Sequence, residues 1–327
     1  MRKIVISFIV ATTLLIFVIL KSATMGSLDV TSIELINGLL MGGNEKVEII
    51  KDLRLPRIII SLFVGACLAV SGLLLQAVMR NPLAEAGIIG ISSGANFVSI
   101  FVLSFFPHLF FWSPLLAFFG GAFACFLVYA FSWKSGLSPL RLILIGVAVN
   151  AIFSGLNESF NYRGSYAVTS ITQATTSTLS MKTWSDVDVM VLYGSIGLIL
   201  SFLLFSWCNL LALQDKTTKN LGFRVHRARI LISIVAVHLA AVSTAIAGVI
   251  AFVGLLIPHS ARILVGNNHK VLIPFSAICG ALLILTADTL GRTIIAPNEI
   301  PASIIMAIIG GPFLIFLIRK SGGIYGD

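Results

Sequence analysis

The sequence predicts an all-α polytopic membrane protein, a single domain over residues 1–327 with about ten transmembrane helices, two of them short or broken. Three observations carry this reading. Of the 327 residues, 57% are hydrophobic and 11% charged, where soluble domains have about half and about a quarter. The apolar residues fall in runs close to the roughly 20 residues that cross a bilayer. Short polar or Gly/Pro-bearing stretches separate the runs. Such a chain is neither disordered, nor fibrous, nor an ordinary soluble enzyme, and the spans leave no room for a soluble domain of about 100 residues.

The elements follow in order. Arg2 and Lys3 precede the first run, 4–20. It is long for a signal-peptide core and no A-x-A site follows, so an uncleaved first span is expected. Segment 28–51 is not a span: Thr31 and Glu34 stand at capping-box spacing, and a short amphipathic helix on the outer surface is expected. Further apolar runs lie at 57–79, 88–106, 114–133, 140–161, 187–207, 229–251, 272–292 and 302–318. A short piece at 258–266 rises only about 14 Å at 1.5 Å per residue and cannot cross a core of about 30 Å. It reads as a half-helix, and counting it gives ten. The loop 208–229 is long and basic, with Leu211, Leu213 and Asp215 before Leu221-Gly222. It reads as one or two short helices with a Gly break, exposed to the cytoplasm.

Charge sets the orientation. There are 22 Lys and Arg against 13 Asp and Glu, a net charge of +9. No compact basic run points to nucleic acid; basic residues instead hold loops on the inner side. With the N-terminus inside, the inner loops carry Arg2, Lys3, Arg80, Lys134, Arg141, Lys216, Lys219, Arg224, Arg227, Arg229, Lys270, Arg319 and Lys320, against Glu85, Asp215 and Asp327. The outer segment from Lys21 to Arg57 balances five basic and five acidic residues. Both termini are expected in the cytoplasm.

No catalytic set is visible. There is no G-x-x-x-x-G-K-[ST], H-E-x-x-H or G-x-S-x-G pattern, so neither an ATPase nor another enzyme is expected, and no metal or cofactor site. Cys67, Cys125, Cys208 and Cys279 form no C-x-x-C pair and read as packing residues. The five histidines are scattered; His259, after Pro258, reads as a hydrogen-bonded bundle residue. Asp288 lies four residues before Arg292, the spacing of a helical acid–base pair, which either neutralises itself near the outer boundary or acts at the mouth of a pathway. Asn150 and Asn157 are seven apart and share a helix face with Glu158 nearby. A polar stripe should turn from lipid, either lining a pathway or bonding another helix.

Two places break the helical pattern alike. One runs from Asn81-Pro82 through Gly87, Gly90 and Gly94; the other from Gly254 and Pro258 through Gly266. Each follows an Ala/Gly/Ser-rich stretch, 66–72 and 243–248. Paired interruptions point to an internal repeat, halves of about 52–161 and 229–318, with a pathway between them; small residues also serve close packing.

Taken together, Arg54-Leu55-Pro56-Arg57, Ser71-Gly72, Gln76, Asn81-Pro82-Leu83-Ala84-Glu85, Gly90 to Ala95, Gly248 to Gly254, Ile257-Pro258-His259, Ala287-Asp288 with Arg292, and Glu299-Ile300-Pro301 with Gly310-Gly311-Pro312 resemble the FecCD/BtuC-type permeases of ABC importers for iron–siderophores, haem and cobalamin. The likeness runs from about residue 50 to 318. It implies ten helices in inverted repeats and a second permease copy or paralogue. It also implies a cytoplasmic ABC ATPase dimer, which alone binds ATP and Mg, and an extracytoplasmic substrate-binding protein or lipoprotein, in a bacterial cytoplasmic membrane. By the same resemblance Arg54, Arg57 and Arg292 match outer arginines that dock the binding protein. Leu211, Leu213, Asp215, Leu221 and Gly222 match the ATPase-coupling region. Asn81 and Leu83, with Pro139 and Leu140, match gate segments; the family often has small hydroxyl residues at the latter two. Within the family, Met181 to Asp186 and Val271 to Ser276 look like the haem permeases of Gram-positive iron-regulated surface-determinant systems, while siderophore permeases share most of the framework.

Overall fold

A computed structural model describes residues 2–25, 34, 45–132, 139–162, 179–213, 218, 222–296 and 298–321. Among them, every regular element is a helix: α1 (Arg2–Thr24), α2 (Glu45–Leu53), α3 (Leu55–Met79), α4 (Ile91–Phe105), a 3-10 turn (Pro107–Trp112), α5 (Ser113–Ser132), α6 (Pro139–Tyr162), α7 (Trp184–Leu203), α8 (Phe205–Leu211), α9 (Val225–Ala247), α10 (Val253–Val265), α11 (His269–Ile294) and α12 (Ala302–Ser321). Six helical stretches are long and apolar enough to cross a bilayer: α1, α2–α3 from Ile50, the 3-10 turn with α5, α7, α9 and α11. Four shorter apolar helices accompany them in α4, α6, α10 and α12. The chain is thus an all-α, polytopic membrane protein, with six rather than ten stretches meeting the length and apolarity requirements together among the described residues. Thr31 of the expected capping box lies outside the described residues.

Helix α3 is the axis of the bundle. It packs on α11, α9, α7 and α10, and almost every residue along it is buried. Pro56 starts it, where a missing N–H costs nothing. Small residues then let neighbours approach to backbone contact: a Cβ on Gly72 would collide with the Gly254 carbonyl, and one on Gly65 with that of Gly280. With little hydrophobic drive between helices in lipid, such close van der Waals packing is what holds them. Ser71 Oγ donates across the gap to the Ala236 carbonyl at 2.7 Å. Cys67, Cys125 and Cys208 are buried and free, the packing role expected of them.

The periphery is apolar outward. Phe119, Phe123, Phe126 and Phe131 of α5 are exposed, as suits a lipid-facing helix. Helix α1 lies against α11, α10 and α3; Phe8 meets Phe275 edge-on at 5.1 Å, and Lys3 Nζ donates to the Ile263 carbonyl.

Both breaks are present, the second earlier than the sequence indicates. Helix α3 ends on Arg80 in a left-handed conformation, and the chain stays non-helical to Gly90. Helix α9 ends at Gly248 (φ 73°, ψ −169°), a conformation favouring glycine. The chain is extended or bent over 248–252 before α10 starts. Gly254 and Pro258 therefore lie inside α10, not in the break. Pro258 cannot donate to the Gly254 carbonyl one turn back; that oxygen instead accepts Gln76 Nε2 of α3 at 3.0 Å. The neighbour's amide makes the proline tolerable, and Gln76 Oε1 in turn accepts Arg262 Nη1 at 2.6 Å. At about 1.5 Å per residue, the 13 residues of α10 rise about 20 Å, still short of a crossing of about 30 Å.

Candidate functional site

The polar stripe of α6 faces the breaks. Asn150, Ser154, Asn157 and Glu158 line one side of a cleft of about 430 Å³; Ser93 and Asn96 of α4, with Gly87 and Ala251 from the two breaks, line the rest. Ser93 Oγ donates to Asn150 Oδ1, and Asn157 Nδ2 points to the Ser93 carbonyl at 3.4 Å. Asn96 Oδ1 and Asn157 Oδ1 are buried with no hydrogen-bond partner among the described residues. The seven-residue spacing thus brings Asn150 and Asn157 to one wall. Gly90 allows α6 close, since a Cβ there would sit 2.9 Å from the Asn150 nitrogen. Among the described residues the lining offers amides, hydroxyls and one carboxylate, and no His, Cys, Met or Tyr. It can hydrogen-bond a polar guest.

Glu85, which the sequence places among the inner-loop residues, belongs to the site. It is 3% exposed. Its Oε1 accepts the Phe252 N–H at 2.6 Å, the residue that opens α10 with φ 71°. The carboxylate thus joins the two breaks and meets the positive end of a helix. A lone acid straight after Asn81-Pro82-Leu83-Ala84, beside an interruption rather than among basic loop residues, is the signal that was available.

Above the cleft is a cluster of charges. Arg57, on the first turn of α3 and 9% exposed, is held by two acids. Its Nε reaches Asp288 Oδ2 at 2.9 Å and its Nη2 reaches Oδ1 at 2.8 Å. Its Nη1 donates to Glu299 Oε2 at 2.9 Å, which also accepts Ser180 Oγ at 2.6 Å. Burial raises the Glu299 pKa, but the Ser180 hydrogen bond and the Arg57 charge outweigh it, and the carboxyl sits below its ordinary value. Asp288, 2% exposed, therefore spends its charge on Arg57 rather than on the expected helical partner, because Arg57 presents a planar fork across the α3–α11 contact. Arg292 Nη2 instead donates to the Ser22 carbonyl at 2.7 Å, and Arg54 Nη1 to the Ala23 carbonyl at 2.8 Å. The three arginines thus gather where α1, α3 and α11 end together.

Below the cleft, Arg80 donates to the carbonyls of Leu211 and Leu213, tying the end of α3 to the start of the basic loop. Asn209 Oδ1 accepts the His269 N–H at 2.9 Å and approaches His269 Nδ1 at 2.8 Å, joining α8 to α11. Leu211 is buried, while Leu213 and Gly222 are exposed. Asp215 and Leu221 lie outside the described residues. Asn81 is buried, and its Oδ1 accepts the Leu83 N–H at 3.0 Å, an Asx-type turn. Pro139 and Leu140 open α6, away from Asn81 in sequence; their side chains are outside the description.

The model of the FecCD transport family matches residues 14–320. The chain belongs to the FecCD transport family. It is a permease component of the ABC-importer type, not an enzyme. Relatives from Staphylococcus aureus strains MSSA476 and MW2, each described as "Probable heme-iron transport system permease protein IsdF", are 45% identical over 300 residues, covering 92% of this chain and 91% of theirs. A solved structure described as "An inward-facing conformation of a putative metal-chelate type ABC transporter" is similar at TM-score 0.81 and 33% identity, over 96% of this FecCD chain and 99% of that one. PsaBC from Streptococcus pneumoniae in complex with Fab shares the fold at TM-score 0.58 and 16% identity, over 88% of this chain and 95% of that one.

Proposed function

We propose that this chain carries haem across the bacterial cytoplasmic membrane as the permease of an ABC importer. The observation that carries the cargo is the 45% identity, over nine-tenths of the chain, to permeases described as transporting heme-iron. The cleft suits that role: amides and hydroxyls can hold a porphyrin's carboxylates and release them, while metal ligation would trap the cargo.

The topology that goes with this reading has ten spans. Helices α3 to α6 form one set of four and α9 to α12 another; between them lie α7, which is long enough to cross, and the seven-residue α8, which is not. One intervening crossing makes the second set start from the opposite side, which is the parity of an inverted repeat. With α1 the count is ten, and the basic inner loops put both termini in the cytoplasm. Arg54, Arg57 and Arg292 form the rim that meets acidic groups of a binding lipoprotein, where charge sets register and on-rate. The loop 208–229, including Leu211, Leu213, Asp215, Leu221 and Gly222, meets an ATPase dimer. Arg80 would pass its movement to Asn81, Leu83 and the break, and Pro139 and Leu140 would follow. A second permease copy or paralogue completes the pathway along Asn150 and Asn157.

The test is ATPase activity of the chain reconstituted in lipid with its ATPase and binding protein. Haem-loaded binding protein is expected to stimulate hydrolysis, and the same protein offered a ferric siderophore is not. Stimulation by the siderophore alone would overturn the cargo while leaving the permease role intact. For docking, Arg292→Glu is preferable to a change at buried Arg57; unchanged affinity for the binding protein would remove Arg292 from the rim.

A further inference from the structure

We propose that the groove between α5 and α9 is a binding site for one anionic phospholipid. The groove encloses about 750 Å³ and opens on the outside of the bundle, remote from the polar cleft. Its walls are Phe118 and Phe126 of α5 and Ile230 and Ile234 of α9. Phe126 is 63% exposed and Ile234 45%, so the walls face the bilayer rather than another described element.

The foot of the groove is different. Arg229 and His226 stand there with the hydroxyls of Tyr129 and Ser233. Tyr129, Ser233 and Arg229 line the same end together, so their polar groups gather at the foot. Among the described residues that line the groove there is no Asp or Glu. Arg229 is four residues into α9 and Tyr129 three residues from the end of α5. That sets the basic foot about 5 Å inside the helix ends, at headgroup depth. From Arg229 to Val237 the groove climbs eight residues, about 12 Å, close to the half-thickness of a core of about 30 Å. A foot of hydrogen-bond donors with one fixed positive charge, below an apolar channel one leaflet long, matches a phosphate headgroup and its acyl chain. Basic pockets between helices recognise anionic headgroups in this way.

The test is native mass spectrometry of the full-length permease released from mixed phosphatidylglycerol and phosphatidylcholine. Wild type is expected to retain phosphatidylglycerol in preference to phosphatidylcholine. Arg229→Gln should lower that preference about fivefold, the effect of one cation near a membrane surface. Ile234→Trp, which fills the channel and keeps the foot, should expel the bound lipid and serves if Arg229→Gln does not fold. Equal retention of both lipids by wild type would overturn the proposal, reducing the groove to ordinary solvation. Cross-linking of Ile234→Cys between two copies in lipid would also overturn it, by showing a second chain in the groove.

Discussion

Replacing Asp288 by Asn isolates what the outer charge cluster contributes. Arg57 is embraced by Asp288 through contacts of 2.8 to 3.1 Å, with both side chains buried. Asn keeps the shape and removes the charge. The guanidinium then remains buried with Glu299 alone, whose side chain is 37% exposed and whose attraction is screened by solvent. Breaking a buried pair from one side costs about 3–5 kcal/mol, because the surviving charge stays desolvated. Glu299 offsets part of that, so the lower end, about 3 kcal/mol, is expected. At about 2–4 °C per kcal/mol for larger domains, the melting temperature should fall about 6–12 °C. The chain carries its own reporter: Cys67, Cys125 and Cys208 are buried thiols that a maleimide dye reaches only on unfolding. Combining Asp288→Leu with Arg57→Met should recover most of the loss, since an apolar pair of similar volume replaces a buried ion pair at little cost. A single variant that melts within 2 °C or so of wild type, against the about 3 kcal/mol expected, would refute the idea that Asp288 compensates Arg57. A double variant worse than Asp288→Asn would refute the desolvation argument.

Gly72→Ala should destabilise by about 1–3 kcal/mol, because the added methyl meets the Gly254 backbone rather than a movable side chain; the same thiol melt measures it. Glu299 has its pKa held below the ordinary carboxylate value by Ser180 and Arg57 against burial. Its tie to Arg57 is therefore complete above the usual value of about 4.3 and is lost only as pH falls through the lowered one. Melting should be flat from neutrality down to about pH 5, and Glu299→Gln should flatten the acid limb below it. Asn150→Leu with Asn157→Leu should keep the melting temperature and the stimulated ATPase rate but reduce cargo uptake in proteoliposomes at least tenfold; unchanged uptake would remove these amides from the pathway. Arg80→Ala, which cuts the bonds to Leu211 and Leu213, should leave hydrolysis running while uptake falls.

Much of the architecture was legible because lipid imposes simple rules. Apolar run lengths gave the helices, and the short run near Pro258 gave a half-helix. Its boundary was misread because proline usually marks a helix end. Here a distant glutamine, Gln76, satisfies the carbonyl that Pro258 frees, and no local pattern reports that. The Asn150–Asn157 stripe was legible from spacing, since two positions seven apart must share a face. Partner choice was not. Asp288 and Arg292 had the right separation, yet the carboxylate crossed to Arg57, 231 residues away in sequence, because the α3–α11 contact places a guanidinium fork there. Glu85 failed for the same reason: its meaning depends on the N-terminus of α10, a long-range neighbour.

These long-range bonds fall into a chain that a transport cycle can use. Arg80 fastens the basic loop to the end of α3, and the next ten residues form the first break. Glu85, within that break, holds the Phe252 N–H at the start of α10, and Gly87 of the same break lines the cleft with Asn150 and Asn157. On the proposed topology, a push on the loop would therefore reach both breaks and the cleft wall within one connected stretch. The outer cluster closes the other end of the axis, since Arg57 sits on the first turn of α3 and draws the α11 side chain Asp288 and the following loop's Glu299 onto it. Of its two partners, Asp288 is buried and the Glu299 side chain is 37% exposed, so the pair with Glu299 is the one that an incoming carboxylate can replace without exposing a buried charge. An acidic docking partner would then free the α11–α12 loop from α3 while leaving α11 attached. That separates a structural bond from an exchangeable one at a single arginine.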